Sequence, residues 1–259
     1  MCFRSHPEGN PAPGVPEAFV TGTSGASSPG QERVSRIALR TEAGWNDEHR
    51  NYLDVARAAV DGGADGIVVH DRTRAARYKM SANWAAIAEL ATAVSVPVVG
   101  NGDLLFRHEI DAALRTGCTG VMTARGALIK PWLFREATEG DMDPTGAERV
   151  ALYRRYVALA KAHWGGDEHG VSRIREFLLW HLGFWCRYAP RRADGTYPST
   201  QQRESWTPRT PLEALLARSD APGHAYLSDA LLGETPVDPD AAPEPDVARE
   251  MDDELMEAG

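Results

Sequence analysis

Apolar residues along this chain come in short runs and in helical stripes, and through its middle the two alternate. "VSRIALRT" (34–41) is a short strand-like run, after which Asn46 is placed to cap a helix through Asp61 with Leu53, Ala56 and Val60 on one face. "GADGIVVH" (63–70) is a glycine-bounded apolar run of the kind buried in a parallel sheet. Trp84, Ile87, Leu90 and Val94 then repeat at helical spacing, followed by the strand "VPVVGNGD", the helix "RHEIDAALRTG" and the strand "GVMTAR". Four strands at spacings of roughly 23 to 34 residues, with helices between them, predict βα units on a parallel sheet.

From about Glu148 the pattern turns purely helical. Val150, Tyr153, Val157, Ala160 and Trp164 line one face, and Ile174, Phe177, Leu178, Leu182 and Trp185 another. Residues 1–32, rich in Pro, Gly and Ser, show no period and are expected to be irregular or disordered. The predicted organisation is an α/β domain at 33–144, an all-α domain at 145–233 and an acidic disordered tail at 234–259.

Charge changes this picture in one respect. Ten of the 37 acidic residues, against a single arginine, lie in 234–259, so the formal charge of −9 belongs to the tail. The body is balanced, and a polyanionic partner stays open for it. No apolar run reaches the roughly 18 residues of a membrane span, and a signal-peptide pattern is lacking. Cys2, Cys118 and Cys186 are widely spaced and odd in number, which suggests neither a disulfide framework nor a metal site and makes a reducing cytoplasm the expected compartment.

Candidate chemistry sits where the predicted strands end, because in parallel α/β folds loops and backbone amides converge there on ligands. These ends carry His70-Asp71-Arg72, Asn101-Gly102-Asp103 and Ala124-Arg125-Gly126. Two consecutive strands that run into small, polar, glycine-containing turns match the phosphate corner that the last two strands of eight-stranded barrels often supply. Arg125 would add a charge-assisted contact, although a bare "NGD" is also a common turn. His70 closes an apolar strand, so it either meets a cofactor ring or is satisfied by backbone carbonyls. The loop "DRTRAARYKMSANW" interleaves Arg72, Arg74, Arg77 and Lys79 with Tyr78 and Trp84, a composition that suits either RNA contact or plain solvation. Arg173 and Arg175 add cations in the helical region, among tryptophans expected to be core.

Taken in order, "VVHDRTRAARY" with "ANW", "PVVGNGDL", "GVMTARGALIKPWLF" and "FLLWHLGFWCRYAP" resemble the tRNA-dihydrouridine synthase family over about residues 34–190, and look closest to the eukaryotic-type branch that modifies position 47. The resemblance implies the C-terminal half of a TIM-type (β/α)8 barrel, four parallel strands, followed by a helical tRNA-binding domain. It implies FMN as cofactor, NADPH as reductant and tRNA as partner. It assigns Asn101, Gly102, Asp103, Ala124 and Arg125 to the FMN phosphate, His70 to the flavin ring, and Arg72, Arg74, Arg77, Lys79, Arg173 and Arg175 to RNA.

Three departures from the family pattern accompany it. The first four strands and the loop with the proton-donating cysteine have no counterpart, and none of the three cysteines lies in a matching context. Ala38 stands at the position of a flavin-contacting lysine, and Asp71 replaces the usual glycine, where an acid is expected to weaken phosphate contacts. Four strands alone are also expected to leave open edges and an unburied inner face, which pairing with a second copy could close. The expectation is therefore a family member represented by an incomplete chain. The alternatives are a non-catalytic RNA-binding remnant and another FMN or phosphate-binding barrel enzyme.

Overall fold

The computed structural model describes residues 2–4, 38–75, 80–198 and 206–246. They form two compact units, one built from residues up to Ala127 with Pro131–Asp141, the other mainly from Met142 onward.

The first unit is a sheet covered by helices. Its elements are β1 (Cys2–Arg4), β2 (Ala38–Gly44), α1 (Tyr52–Asp61), β3 (Gly66–Thr73), α2 (Trp84–Ala93), β4 (Val98–Asn101), α3 (Arg107–Leu114), β5 (Gly120–Met122), α4 (Arg125–Ile129) and α5 (Leu133–Glu139). The strand order is β1-β5-β4-β3-β2, with β2 to β5 parallel and β1 antiparallel to β5. The four parallel strands alternating with helices are those the apolar runs predict. Ile67, Val69, Val98 and Val121 point to the helices and form a core with Ala56, Ile87, Leu90, Ile110 and Leu133. Gly100 shares that face because an added Cβ would lie 2.5 Å from the Trp84 ring.

Several local expectations give way. The helix after β2 starts at Tyr52 with Asn51 at its N-cap. Asn46 instead accepts the His49 amide at 2.9 Å, closing a turn of its own. Within 1–32, Cys2–Arg4 pairs with β5 as an edge strand, too short for alternation to register in sequence. The sheet face away from the helices is buried at Val68, His70, Val99 and Asn101, where an open half barrel was expected to leave it bare.

The second unit contains α6 (Gly146–Trp164), α7 (Glu168–Trp185), α8 (Pro211–Leu216) and α9 (Ala221–Leu232). Thr145 and Glu148 form a reciprocal capping box that starts α6, and Asp167 caps α7 through the Gly170 amide. The core joins Tyr153, Val157, Leu178, Leu182 and Trp185 to Leu215, Leu227 and Leu231. Tyr153 stacks on Trp185 with ring centroids 3.9 Å apart. Phe177, expected inside, is 43% exposed.

Residues 234–246, expected to be disordered, fold back on these helices. Arg154 donates to the Thr235 carbonyl, Lys161 to the Leu232 carbonyl and Glu234, and Arg218 to the Pro243 carbonyl. Arg154 from α6 and Arg218 from the turn after α8 thus take up carbonyls of a segment that is too proline-rich to form a ladder of its own. The remaining tail, 247–259, lies outside the described residues.

Candidate functional site

Parallel register sets the site. His70 is level with Asn101, and Asn101 with Met122, so the residues after them stand together at the strand ends. Asn101 is 5% exposed and donates its side-chain amide to the Met122 carbonyl at 2.8 Å, tying β4 to β5. The chain then turns sharply, with Gly102 at φ +136° and Asp103 at φ +52°. Two successive left-handed residues form a concave turn; glycine adopts that conformation readily, and aspartate is among the few side chains that tolerate it. Gly102 is also pressed against its neighbours, since an added Cβ would sit 2.4 Å from Ala82 Cβ and 3.5 Å from the His70 ring. Trp84 Nε1 donates to the Gly102 carbonyl at 3.2 Å, which fixes the turn over the start of α2.

Asp103 is the electrostatic centre of this corner. Its carboxylate accepts Arg72 Nη2 at 2.5 and 2.7 Å and the Ala82 amide at 2.7 Å, and Arg125 Nη2 lies 3.8 Å away. Arg72 also donates to the Met80 carbonyl and is buried. Of the residues expected at a phosphate, Gly102, Asp103 and Arg125 are therefore brought together, with Ala124 exposed beside them. Arg72, expected to face RNA, is turned inward as the partner of Asp103. The reason is alternation: Arg72 shares the face of His70, away from the helices, where it meets the incoming Asp103 loop.

Asp71 departs from expectation for the same reason. It lies on the opposite face from His70 and Arg72, and its carboxylate is fully buried against Arg50 Nη2 at 2.5 and 2.7 Å. Burial pushes the Asp71 carboxyl upward and the Arg50 guanidinium pulls it down, with burial the larger influence. The acid expected to repel an anionic partner is thus buried and countered. Nothing but the period of two would have signalled this in the sequence.

The other predicted contacts separate cleanly. Arg74 is exposed, with its guanidinium 4.4 Å from the centroid of the Trp45 ring, itself 59% exposed. Arg77 and Lys79 lie outside the described residues. In the helical unit Arg175 pairs with Asp229, whereas Arg173 is exposed and has no ion-pair or hydrogen-bond partner among the described residues.

The two described thiols are buried. Cys118 Sγ donates to the Ala113 carbonyl and burial pushes its pKa up; Cys186 Sγ donates to the Gly183 carbonyl. Both thiols are thus spent on backbone carbonyls inside the fold. Among the described residues no group of three or more His, Cys, Asp or Glu is placed to hold a metal ion, and no helix is long and apolar enough to cross a membrane.

A family profile described as dihydrouridine synthase (Dus) matches residues 34–183. Over 183 residues the chain is 39% identical to the human tRNA-dihydrouridine(47) synthase [NAD(P)(+)]-like, an overlap of 68% of this chain and 28% of that protein. The tRNA-dihydrouridine(47) synthase [NAD(P)(+)] of Malassezia globosa is 33% identical over 226 residues, 78% of this chain and 30% of its own. The Oryza sativa subsp. japonica -like protein is 37% identical over 201 residues, 73% and 29%. The chain thus spans less than a third of the length of these curated relatives.

Proposed function

The chain belongs to the dihydrouridine synthase family, and from that premise we propose that it is the part of an FMN-dependent, NADPH-consuming tRNA uridine reductase that holds the flavin phosphate and faces the RNA. The observation that carries the proposal is the left-handed Gly102-Asp103 turn with Arg125 beside it, at the ends of two adjacent parallel strands.

The residues present fit a phosphomonoester. Two guanidinium groups converge on the single carboxylate of Asp103, and Arg72 binds that carboxylate more closely than Arg125 does. A buried hydroxyl, Thr123 Oγ1, has no hydrogen-bond partner among the described residues at the same level. Bound there, FMN would supply the hydride carrier between NADPH and the uracil ring. Arg125 and the turn amides would hold its phosphate, and His70, packed edge-on to Gly102, would flank its ring system. Asn101 keeps β4 and β5 in register under the site. No described side chain is assigned the proton donation that completes the reduction. Among the described residues RNA contact falls to the exposed Arg74 and Arg173, since Arg72 and Arg175 are committed within the protein.

Ala38 at the expected lysine position favours a second reading, an RNA-binding protein without flavin chemistry. One experiment separates the two. The purified chain is titrated with FMN and with unfractionated tRNA at several salt concentrations, alongside Arg125→Ala. The proposal expects FMN to bind more tightly than riboflavin, with that preference lost in R125A, and tRNA affinity that falls steeply with salt. Protein that binds tRNA but shows no preference for FMN over riboflavin would establish the second reading instead.

A further inference from the structure

Thr123 follows β5, one residue beyond the Asn101–Met122 register pair, and so stands at the level of Gly102. It is 6% exposed, and its Oγ1 has no hydrogen-bond partner among the described residues. Elsewhere in the same unit a hydroxyl of this kind is satisfied at once: Thr116 Oγ1 donates to the Ala113 carbonyl at 2.7 Å. A buried O–H donor without an acceptor destabilises a fold, and native structures keep few of them.

The backbone around Thr123 is closely held. Two residues on, Arg125 approaches Asp103. One residue further, Gly126 packs so tightly on the Leu104 carbonyl that an added Cβ would lie 1.8 Å from its oxygen. The segment 123–126 and the loop 102–105 therefore lie side by side in close contact. What the Thr123 hydroxyl lacks among the described residues is an acceptor, and a phosphate oxygen is one. A hydroxyl that donates to an anionic oxygen makes a stronger bond than one to a neutral group.

We propose that Thr123 is a phosphate ligand of this corner, its hydroxyl donating to a phosphoryl oxygen of the bound phosphomonoester that Arg125 also contacts. The inference rests on the flavin-phosphate reading above and adds a residue to it. It has a two-sided consequence: removing the hydroxyl relieves the ligand-free protein and weakens the ligand-bound one. A hydroxyl with a structural role would do the reverse to the free protein.

The test uses the full chain with Thr123→Val, which keeps the shape, and Thr123→Ser, which keeps the donor. Affinities for FMN and riboflavin are read from quenching of flavin fluorescence, affinity for inorganic phosphate from its competition with FMN, and ligand-free stability from thermal unfolding. T123V is expected to weaken FMN about tenfold, equivalent to about 1.4 kcal/mol, to leave riboflavin unchanged and not to lower the ligand-free Tm. T123S is expected to bind FMN within about twofold of wild type, a margin well inside the tenfold step that corresponds to one such bond. If wild type prefers FMN to riboflavin but T123V binds FMN equally well, or loses riboflavin in step with FMN, or unfolds at a lower temperature when free, the proposal for Thr123 fails alone. If wild type shows no preference for FMN and no affinity for inorganic phosphate, the phosphate reading fails and takes this proposal with it.

Discussion

The pair Arg72–Asp103 joins β3 to the turn after β4, and Asp103→Asn tests how much that junction holds. Arg72 is 3% exposed at its side chain and Asp103 12%, so neither charge is well solvated. Asparagine retains an acceptor for the Ala82 amide and tolerates the left-handed backbone at φ +52°, which leaves loss of the charge as the main change. Removing one partner of a buried pair costs about 3–5 kcal/mol, because the other charge stays behind. Arg72 keeps its bond to the Met80 carbonyl, and Asp103 is partly open to solvent, so the lower end of that range, about 3 kcal/mol, is expected. The chain forms two compact units, so a single global unfolding curve mixes their transitions. Hydrogen exchange of the β3 and β4 amides isolates the unit that matters. Arg72→Met and the double variant complete the cycle, and a coupling energy of at least about 2 kcal/mol is expected. Coupling below about 0.5 kcal/mol would refute the claim that this pair organises the corner, since non-interacting sites add to within that margin.

Two further outcomes follow from the helical unit. Arg218, hydrogen-bonded at 2.6 and 2.8 Å, holds the Asp220 carboxyl down at about 2, with help from the Gly223 amide. A depressed folded-state pKa gives stabilisation that is complete above the unfolded value near 4 and is lost as pH falls from there toward 2. About 2 kcal/mol should disappear over that window, and Asp220→Asn should flatten it when stability to urea is measured against pH. Arg173→Ala should leave stability within about 0.5 kcal/mol of wild type and weaken tRNA binding, reducing the slope of log affinity against log salt by about one. Arg175→Ala should cost up to about 1 kcal/mol through the lost Asp229 pair with that slope unchanged; equal effects of the two on the slope would contradict the division between them.

How much of this was legible in the sequence depends on the length scale of each signal. The four parallel strands are legible because each is an apolar run with helical spacing on either side, and buried parallel strands require that composition. β1 is not, because three residues carry no period. The choice between Asn46 and Asn51 as the helix cap is not, because both residues suit a cap or a turn and only the Gly44–Arg50 bridge decides where the chain leaves the loop. The corner at residues 101–103 and 124–126 is legible as a motif. The state of its charges is not, because the partners of Asp71 and Asp103 lie 21 and 31 residues away in sequence.

A cluster of arginines in sequence is not by itself a basic surface. The arginine-rich loop after His70 and the arginines of α7 both suggest an RNA contact by composition. The structure divides each group. Arg72 is buried on Asp103, and Arg74 lies exposed over Trp45. Arg175 is paired to Asp229, and Arg173 is exposed with no such partner among the described residues. Neutralising a phosphate requires a cation whose charge is not already matched, and a matched cation must first give up its partner. The position that replaces the family's glycine with an acid follows the same logic in reverse, because Asp71 is countered by Arg50 and buried. The acid at position 71 is turned by alternation to the other face of the strand, and Arg50 meets it there. Substituting Arg50 would leave that buried carboxylate without its cation.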